Sequence, residues 1–135
     1  PKTARPGVSA VNAATGEVLW SHVQDNVCGE GRPFCDPGVS AAITATEGAV
    51  VAGHLDGIIR IYDSASGDII WSYDTTAPVT GTNGVTAKGG GMSGSGPAIG
   101  AGHMVVNSGY GLYNHEAGNA LLVFAPKSRG PVSAR

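Results

Sequence analysis

Apolar positions along this chain come in short runs separated by tetrads rich in Gly, Asp and Ser, and no segment sustains the 3.6-residue spacing of a helix. The runs are β-branched and too short for helices, so they read as strands. In the middle of the chain the pattern predicts strands at Ser40 to Thr46, Ala49 to Gly53, Ile58 to Asp63 and Asp68 to Asp74. The turns between them are Glu47-Gly48, His54-Leu55-Asp56-Gly57 and Ser64 to Gly67. Four antiparallel strands in so little chain make one propeller blade, residues 39–74. Residues 7–23 then supply the last two strands of a preceding blade. Residues 96–125 supply the first three of a following one: Gly96 to Gly100, His103 to Asn107 and Asn119 to Ala125. The expected architecture is all-β, a partial β-propeller of four-stranded antiparallel blades spanning 7–125, with one full blade and two partial ones. Residues 1–6 read as an N-terminal extension, and 126–135 as a C-terminal tail.

A repeat supports this division. Asn12-Ala13-Ala14-Thr15-Gly16-Glu17-Val18-Leu19-Trp20 matches Asp63-Ser64-Ala65-Ser66-Gly67-Asp68-Ile69-Ile70-Trp71 at a constant offset of 51. In each copy an Asn or Asp opens a turn by bonding its own backbone, and a Gly closes it at positive φ. An apolar strand then runs to a Trp. A degenerate third copy runs from Leu121 to Gly130. Trp20 and Trp71, with Gly16 and Gly67, are therefore expected to be structural, packing blade on blade.

Connections in an up-and-down blade alternate between two faces. Those at Glu47-Gly48, Ser64 to Gly67 and Ala101-Gly102 are short. Those at 24–38, 75–95 and 108–118 are long, and all of them fall on the other face. Long loops on one side of a rigid scaffold are the usual place for binding or chemistry. Gly89-Gly90-Gly91 suits either close backbone approach to a ligand or a flexible crossing. No phosphate-binding glycine motif is present. His115 beside Glu116 is a candidate acid–base pair, against the plainer reading of two solvated side chains.

Composition adds boundaries. Gly is 22 of 135 residues, about twice the usual share, which fits many tight turns. Charged residues make up 13% and the formal net charge is -2, so nothing steers the chain toward nucleic acid. Lys127, Arg129 and Arg135 read as a solvated tail. No apolar run approaches the roughly 18 residues of a membrane span. Pro1 in place of Met suggests a processed or excised chain. Cys28 and Cys35 flank a turn-rich loop short enough for a disulfide, which would suit an oxidising compartment; two free thiols are the alternative.

The pattern Asp63-x-x-Ser66-Gly67-x-x-x-Trp71 resembles the tryptophan-docking motif of PQQ-dependent quinoprotein propellers, AxDxxTGxxxW. The segments around Cys35 to Thr75, Gly89-Gly90-Gly91-Met92-Ser93 and Asn107-Ser108-Gly109-Tyr110-Gly111 are similar to the C-terminal part of the polyvinyl-alcohol-dehydrogenase-like members. The resemblance implies a periplasmic or extracellular parent enzyme carrying PQQ and Ca²⁺ at the propeller axis. Such an enzyme oxidises an alcohol and passes electrons to a cytochrome c; this segment alone would be inactive. Met92, Ser93, Asn107 and Tyr110, at axial strand ends, are the candidate cofactor contacts. No catalytic base, calcium ligand or CxxCH haem site can be matched to this chain.

Two other readings stand beside the enzyme. One is a non-catalytic propeller scaffold of the cell envelope. The other is a processed propeller fragment that associates with itself. In every case a partial propeller exposes apolar blade faces, so the partner is the rest of its own propeller or further copies of the chain.

Overall fold

The turn chemistry of the repeat is visible atom by atom in a computed structural model, which describes residues 4–110 and 112–127. In the first copy Asn12 Oδ1 accepts the amides of Ala14 at 2.9 Å and Thr15 at 3.2 Å, and Gly16 N–H donates to the Asn12 carbonyl. In the second, Asp63 Oδ1 accepts Ala65 and Ser66 at 2.8 and 2.9 Å, and Gly67 N–H donates to the Asp63 carbonyl. Those donors, Ser66 first and then Ala65, hold the Asp63 carboxyl below its ordinary range. Gly16 and Gly67 sit at φ +75° and +78°, where a side chain is strained. Even the register shift recurs, between Ala10 and Val11 and again between Ile61 and Tyr62.

The strands joined by these turns are β1 (Gly7–Val11) and β2 (Val18–Val23), then β3 (Thr44–Thr46), β4 (Ala49–Gly53), β5 (Ile58–Asp63) and β6 (Ile69–Asp74). After them come β7 (Val79–Thr80), β8 (Thr86–Ala87), β9 (Ala98–Gly100), β10 (His103–Ser108) and β11 (Ala120–Phe124). Among the described residues a single 3-10 turn, Leu112–Asn114, interrupts the β-structure. Strands β3-β4-β5-β6 form one antiparallel four-stranded sheet, preceded by the β1-β2 pair and followed by β9-β10-β11. The described chain is thus an all-β partial propeller. Residues 1–3, and with them half of the N-terminal extension, lie outside the described residues, as do Arg129, Gly130 and Arg135 of the tail and third repeat.

Two differences from the sequence pattern have local causes. The first strand of the complete sheet pairs only from Thr44, not from Ser40. Upstream of it the chain runs against the segment entering the next sheet: Gly96 lies against the Ala42 carbonyl, and the Thr44 hydroxyl donates to the Pro97 carbonyl. The 75–95 connection also contains a small hairpin, β7-β8, not foreseen above. Its turn carries Asn83-Gly84, with Gly84 at φ +76°, a hairpin signal that was present in the sequence.

The two central strands of the complete sheet, β4 and β5, are covered on both faces. Val51 and Ile59 join Ala41, Met92 and Val106 in one apolar cluster, against which Ile61, Met104 and Phe124 pack. Ala52 and Tyr62 point the other way and join Val8, with Trp20, Val39 and Val50 alongside. Alternate residues of one strand therefore serve two different neighbours. This is why β4 and β5 read as continuous apolar runs and not as alternating ones. At the first interface the Trp20 indole N–H donates to the Ser64 carbonyl at 2.9 Å, and its ring covers Gly67. At the second, Trp71 meets Phe124 edge-on at 5.4 Å and stacks with Tyr73 at 6.0 Å.

Gly16 and Gly67 separate two effects, because a Cβ on Gly16 would meet nothing within 4 Å and one on Gly67 would lie 2.5 Å from Trp20 Cε3. Gly16→Ala is expected to cost only the left-handed backbone strain, about 1 kcal/mol. Gly67→Ala adds overpacking, for about 2–4 kcal/mol in all. Denaturant midpoints of the two variants check this; equal losses would remove the packing role of Gly67.

Candidate functional site

The three long loops meet on one side of the sheets, and Glu116 lies where they join. Its carboxylate accepts Arg32 Nε and Nη2 at 3.0 and 2.6 Å and Lys88 Nζ at 3.1 Å. Arg32 comes from loop 24–38, Lys88 from loop 75–95 and Glu116 from loop 108–118. Arg32 also donates to the Asp56 carbonyl at 2.9 Å. The backbone joins the same parts: Gly91 N–H donates to the Glu116 carbonyl, Glu116 N–H to Phe34, and Gly109 N–H to Gly91. Glu116 is thus committed to two cations, and the structure gives it no free partner role with His115, which packs its Cβ toward Gly91.

The glycine tract now has a steric reason. A Cβ on Gly89 would lie 2.6 Å from both the Ser108 hydroxyl and the Thr75 carbonyl. One on Gly90 would strike the Glu116 carbonyl. The tract is a buried crossing of two chain segments, held by hydroxyls: Thr75 Oγ1 donates to the Gly57 carbonyl at 2.6 Å and lies 2.6 Å from Ser108 Oγ. Ser108 Oγ in turn takes the Gly90 amide.

Just beyond the tract the chain opens into a recess of about 210 Å³ lined by Gly94, Ser95, Asn107 and Tyr110. Ser93 Oγ donates to the Tyr110 carbonyl at 3.0 Å, tying the two walls together. Tyr110 leaves 58% of its surface open. Of the candidate contacts, Asn107 and Tyr110 line this recess, while Ser93 does not and stands behind it, bonded to the Tyr110 carbonyl. Met92 does not line the recess; it is 2% exposed, in the apolar cluster between the sheets, with its sulfur against Gly53. Its amide bonds the His54 carbonyl, which fixes where the segment leaves the core. Cys28 and Cys35 form a disulfide, with Cα atoms 5.6 Å apart. A larger groove of about 740 Å³ lies at the short-turn end between Trp71, Met104 and Phe124; it is almost wholly apolar and offers little chemistry.

A buried polar cluster escaped the sequence reading. Arg60 forks onto Asp56, Nη1 to Oδ1 at 3.1 Å and Nη2 to Oδ2 at 2.7 Å, with both side chains almost fully buried. Tyr62 Oη and His54 Nε2 lie 2.9 Å apart, and His54 Nδ1 faces the Pro37 carbonyl. Burial, and after it the charge of Arg60, push the His54 pKa down to about 4; burial raises Tyr62 to about 12. The signal was Arg60 in the middle of an apolar strand, four residues after an Asp in a turn. A buried cation needs such a partner.

The donor set can be tested against the groups that the resemblance implies. Hydroxyl, amide and phenol groups at an open recess suit one wall of a flat, polar quinone. Among the described residues no three His, Cys, Asp or Glu side chains converge.

The comparisons with known proteins bear on the whole chain. Residues 3–129 match the model of a PQQ-repeat family described as outer membrane protein assembly factor BamB. The chain belongs to this family of PQQ-repeat propellers. It is 41% identical over 117 residues to a polyvinylalcohol dehydrogenase of Sphingopyxis sp., covering 84% of this chain and 18% of that protein. It is 35% identical over 134 residues to a polyvinylalcohol dehydrogenase of Pseudomonas sp., covering 92% and 21%. A quinohemoprotein alcohol dehydrogenase, ADH IIB of Pseudomonas putida, is 34% identical over 71 residues, covering 53% and 10%. The chain therefore spans about a fifth of the length of the polyvinylalcohol dehydrogenases it matches.

The His54 shift has a pH consequence. The unfolded chain takes up a proton near pH 6.5 and the folded one near pH 4, so the unfolded state binds more protons between these values. Stability is expected to be full above pH 6.5 and to fall toward pH 4, by on the order of 3 kcal/mol for a shift of this size. Urea unfolding across this window, with His54→Gln as control, checks it: the variant should lose the His-dependent part of the slope.

Proposed function

We propose that this chain is a segment of a PQQ-dependent alcohol dehydrogenase propeller, and that its long-loop face forms one wall of the cofactor site. The observation that carries this reading is the recess lined by Ser95, Asn107 and Tyr110, on a chain that resembles polyvinylalcohol dehydrogenases over most of its length. A quinone bound there would supply the oxidising chemistry for the alcohol. The residues of this chain bind and orient. Asn107 would offer its amide and Tyr110 its ring face to the quinone, Ser93 would hold the Tyr110 backbone in place, and Met92 anchors the segment in the core. Calcium and the catalytic base belong to other parts of the propeller, and a cytochrome c takes the electrons.

The disulfide supports a periplasmic or extracellular location. The seat of Trp20 on Gly67 supports reading the repeat as the docking motif that links blades, with Trp71 and Phe124 as the next such contact. Leu121 and Val123, 69% and 60% exposed on one face of β11, support a further blade packed there, from the same propeller or from another copy. The described residues hold no helix long and apolar enough to cross a membrane. The family's description as an assembly factor favours the scaffold reading as the alternative.

The test is quinone uptake by the intact protein with calcium, followed by dye reduction with alcohols. Asn107→Ala is expected to weaken quinone binding by about tenfold, the worth of one hydrogen bond of about 1–1.5 kcal/mol. An intact, folded protein that takes up no quinone would leave the scaffold reading.

A further inference from the structure

We propose that the Cys28–Cys35 loop is a redox-dependent clamp, with Arg32 as a positioning residue that holds the recess-forming segments in place. The loop grips Glu116 twice. Arg32 forks onto its carboxylate, and the Phe34 carbonyl accepts its amide at 3.2 Å. The disulfide closes the loop around both gripping residues, so one covalent bond fixes both contacts. Phe34 has φ +64°, a left-handed conformation that a bulky residue keeps only where its surroundings enforce it. Arg32 reaches onward to the Asp56 carbonyl, which seats the loop on the central sheet at the turn that also carries the buried Asp56–Arg60 pair.

Beyond Glu116 the grip is passed on. The Glu116 carbonyl holds the Gly91 amide at 2.8 Å, and Gly91 leads through Met92 to Ser93. The Gly91 carbonyl takes the Gly109 amide at 3.3 Å, and Gly109 precedes Tyr110. Ser93 and Tyr110 then close on each other. The two walls of the recess are therefore positioned from a loop that contributes no residue to it. Lys88 balances Glu116 from the remaining side but is half exposed, so Arg32 is the better-held partner.

Reduction opens the clamp. A dithiol reductant such as dithiothreitol breaks the S–S bond, two electrons and two protons convert it to the Cys28 and Cys35 thiols, and the reductant leaves as its own cyclic disulfide. The freed loop regains conformational entropy, Phe34 is no longer held left-handed, and Arg32 is no longer presented to Glu116.

The test is hydrogen exchange of the Gly91, Glu116 and Gly109 amides in the intact protein, with the β4–β5 ladder as internal reference. Arg32→Ala is expected to speed exchange at these amides by roughly tenfold or more while β4–β5 stays protected, and Arg32→Lys to restore part of the protection. Dithiothreitol on the unaltered protein should give the same pattern, and should add little to Arg32→Ala, since both open one device. Unchanged loop amides in Arg32→Ala, additive effects of the two treatments, or equal loosening of β4–β5 would overturn the clamp. Its effect on cofactor rests on the proposed quinone site: Arg32→Ala should weaken quinone uptake by about tenfold. A protein that never binds quinone defeats that site, while the exchange result still decides the clamp.

Discussion

A sheet that is apolar on both faces needs a neighbour on each, and this requirement organises the molecule. The β3-β4-β5-β6 sheet sends Val51 and Ile59 to one side and Ala52 and Tyr62 to the other. Neither set is covered within its own sheet. The two partial sheets supply the cover, and Trp20 on Gly67 sets how closely the first of them approaches. The outward faces of those partial sheets, with Leu19 and Leu121 exposed, pose the same demand again. A propeller meets it by closing into a ring, so a stretch of this length is one arc of a longer solution.

Within that apolar frame the buried charged groups are confined to places where each finds a partner. Arg60 enters an apolar strand and is met by Asp56; Tyr62 is met by His54. Burial keeps His54 neutral at ordinary pH, so its pairing with Tyr62 is one of neutral groups. The loops follow the same rule at a larger scale. Three connections, each without a core of its own, are held together by one carboxylate, a few backbone bonds and a tract of glycines thin enough to cross beneath them. The recess is what remains open above this crossing. Its walls are fixed by contacts made below it, which is how a mostly irregular face can present groups at defined positions.

The relation to polyvinylalcohol dehydrogenases and the family's description as an assembly factor point to different uses of one architecture. A propeller blade repeat is a solution to packing and is silent on chemistry. The distinction rests on the loops, where this chain has polar groups gathered at Ser93, Asn107 and Tyr110, and on residues that the rest of a propeller would contribute.

The sequence by itself determined the strands, the turns and the repeat. These depend on neighbours close along the chain: Asn12 and Asp63 bond amides two and three residues on, and Gly16 and Gly67 need a positive φ that is a local property. The Asn83-Gly84 hairpin was legible by the same rule, though its strands are too short to give a run of apolar residues. The candidate wall was legible only in part. Asn107 and Tyr110 stand at the end of β10 and Ser93 in the connection before β9, but whether Met92 joined them or entered the core depended on the space left at Gly53. Only the tertiary structure decided the partners of Glu116, since those pairings join residues whose nearness is set by how sheets and loops stack, whereas Asp56 and Arg60 are four positions apart. Arg32 and Glu116 are 84 positions apart. No spacing rule reaches so far, and only the packed sheets bring the two charges within bonding distance.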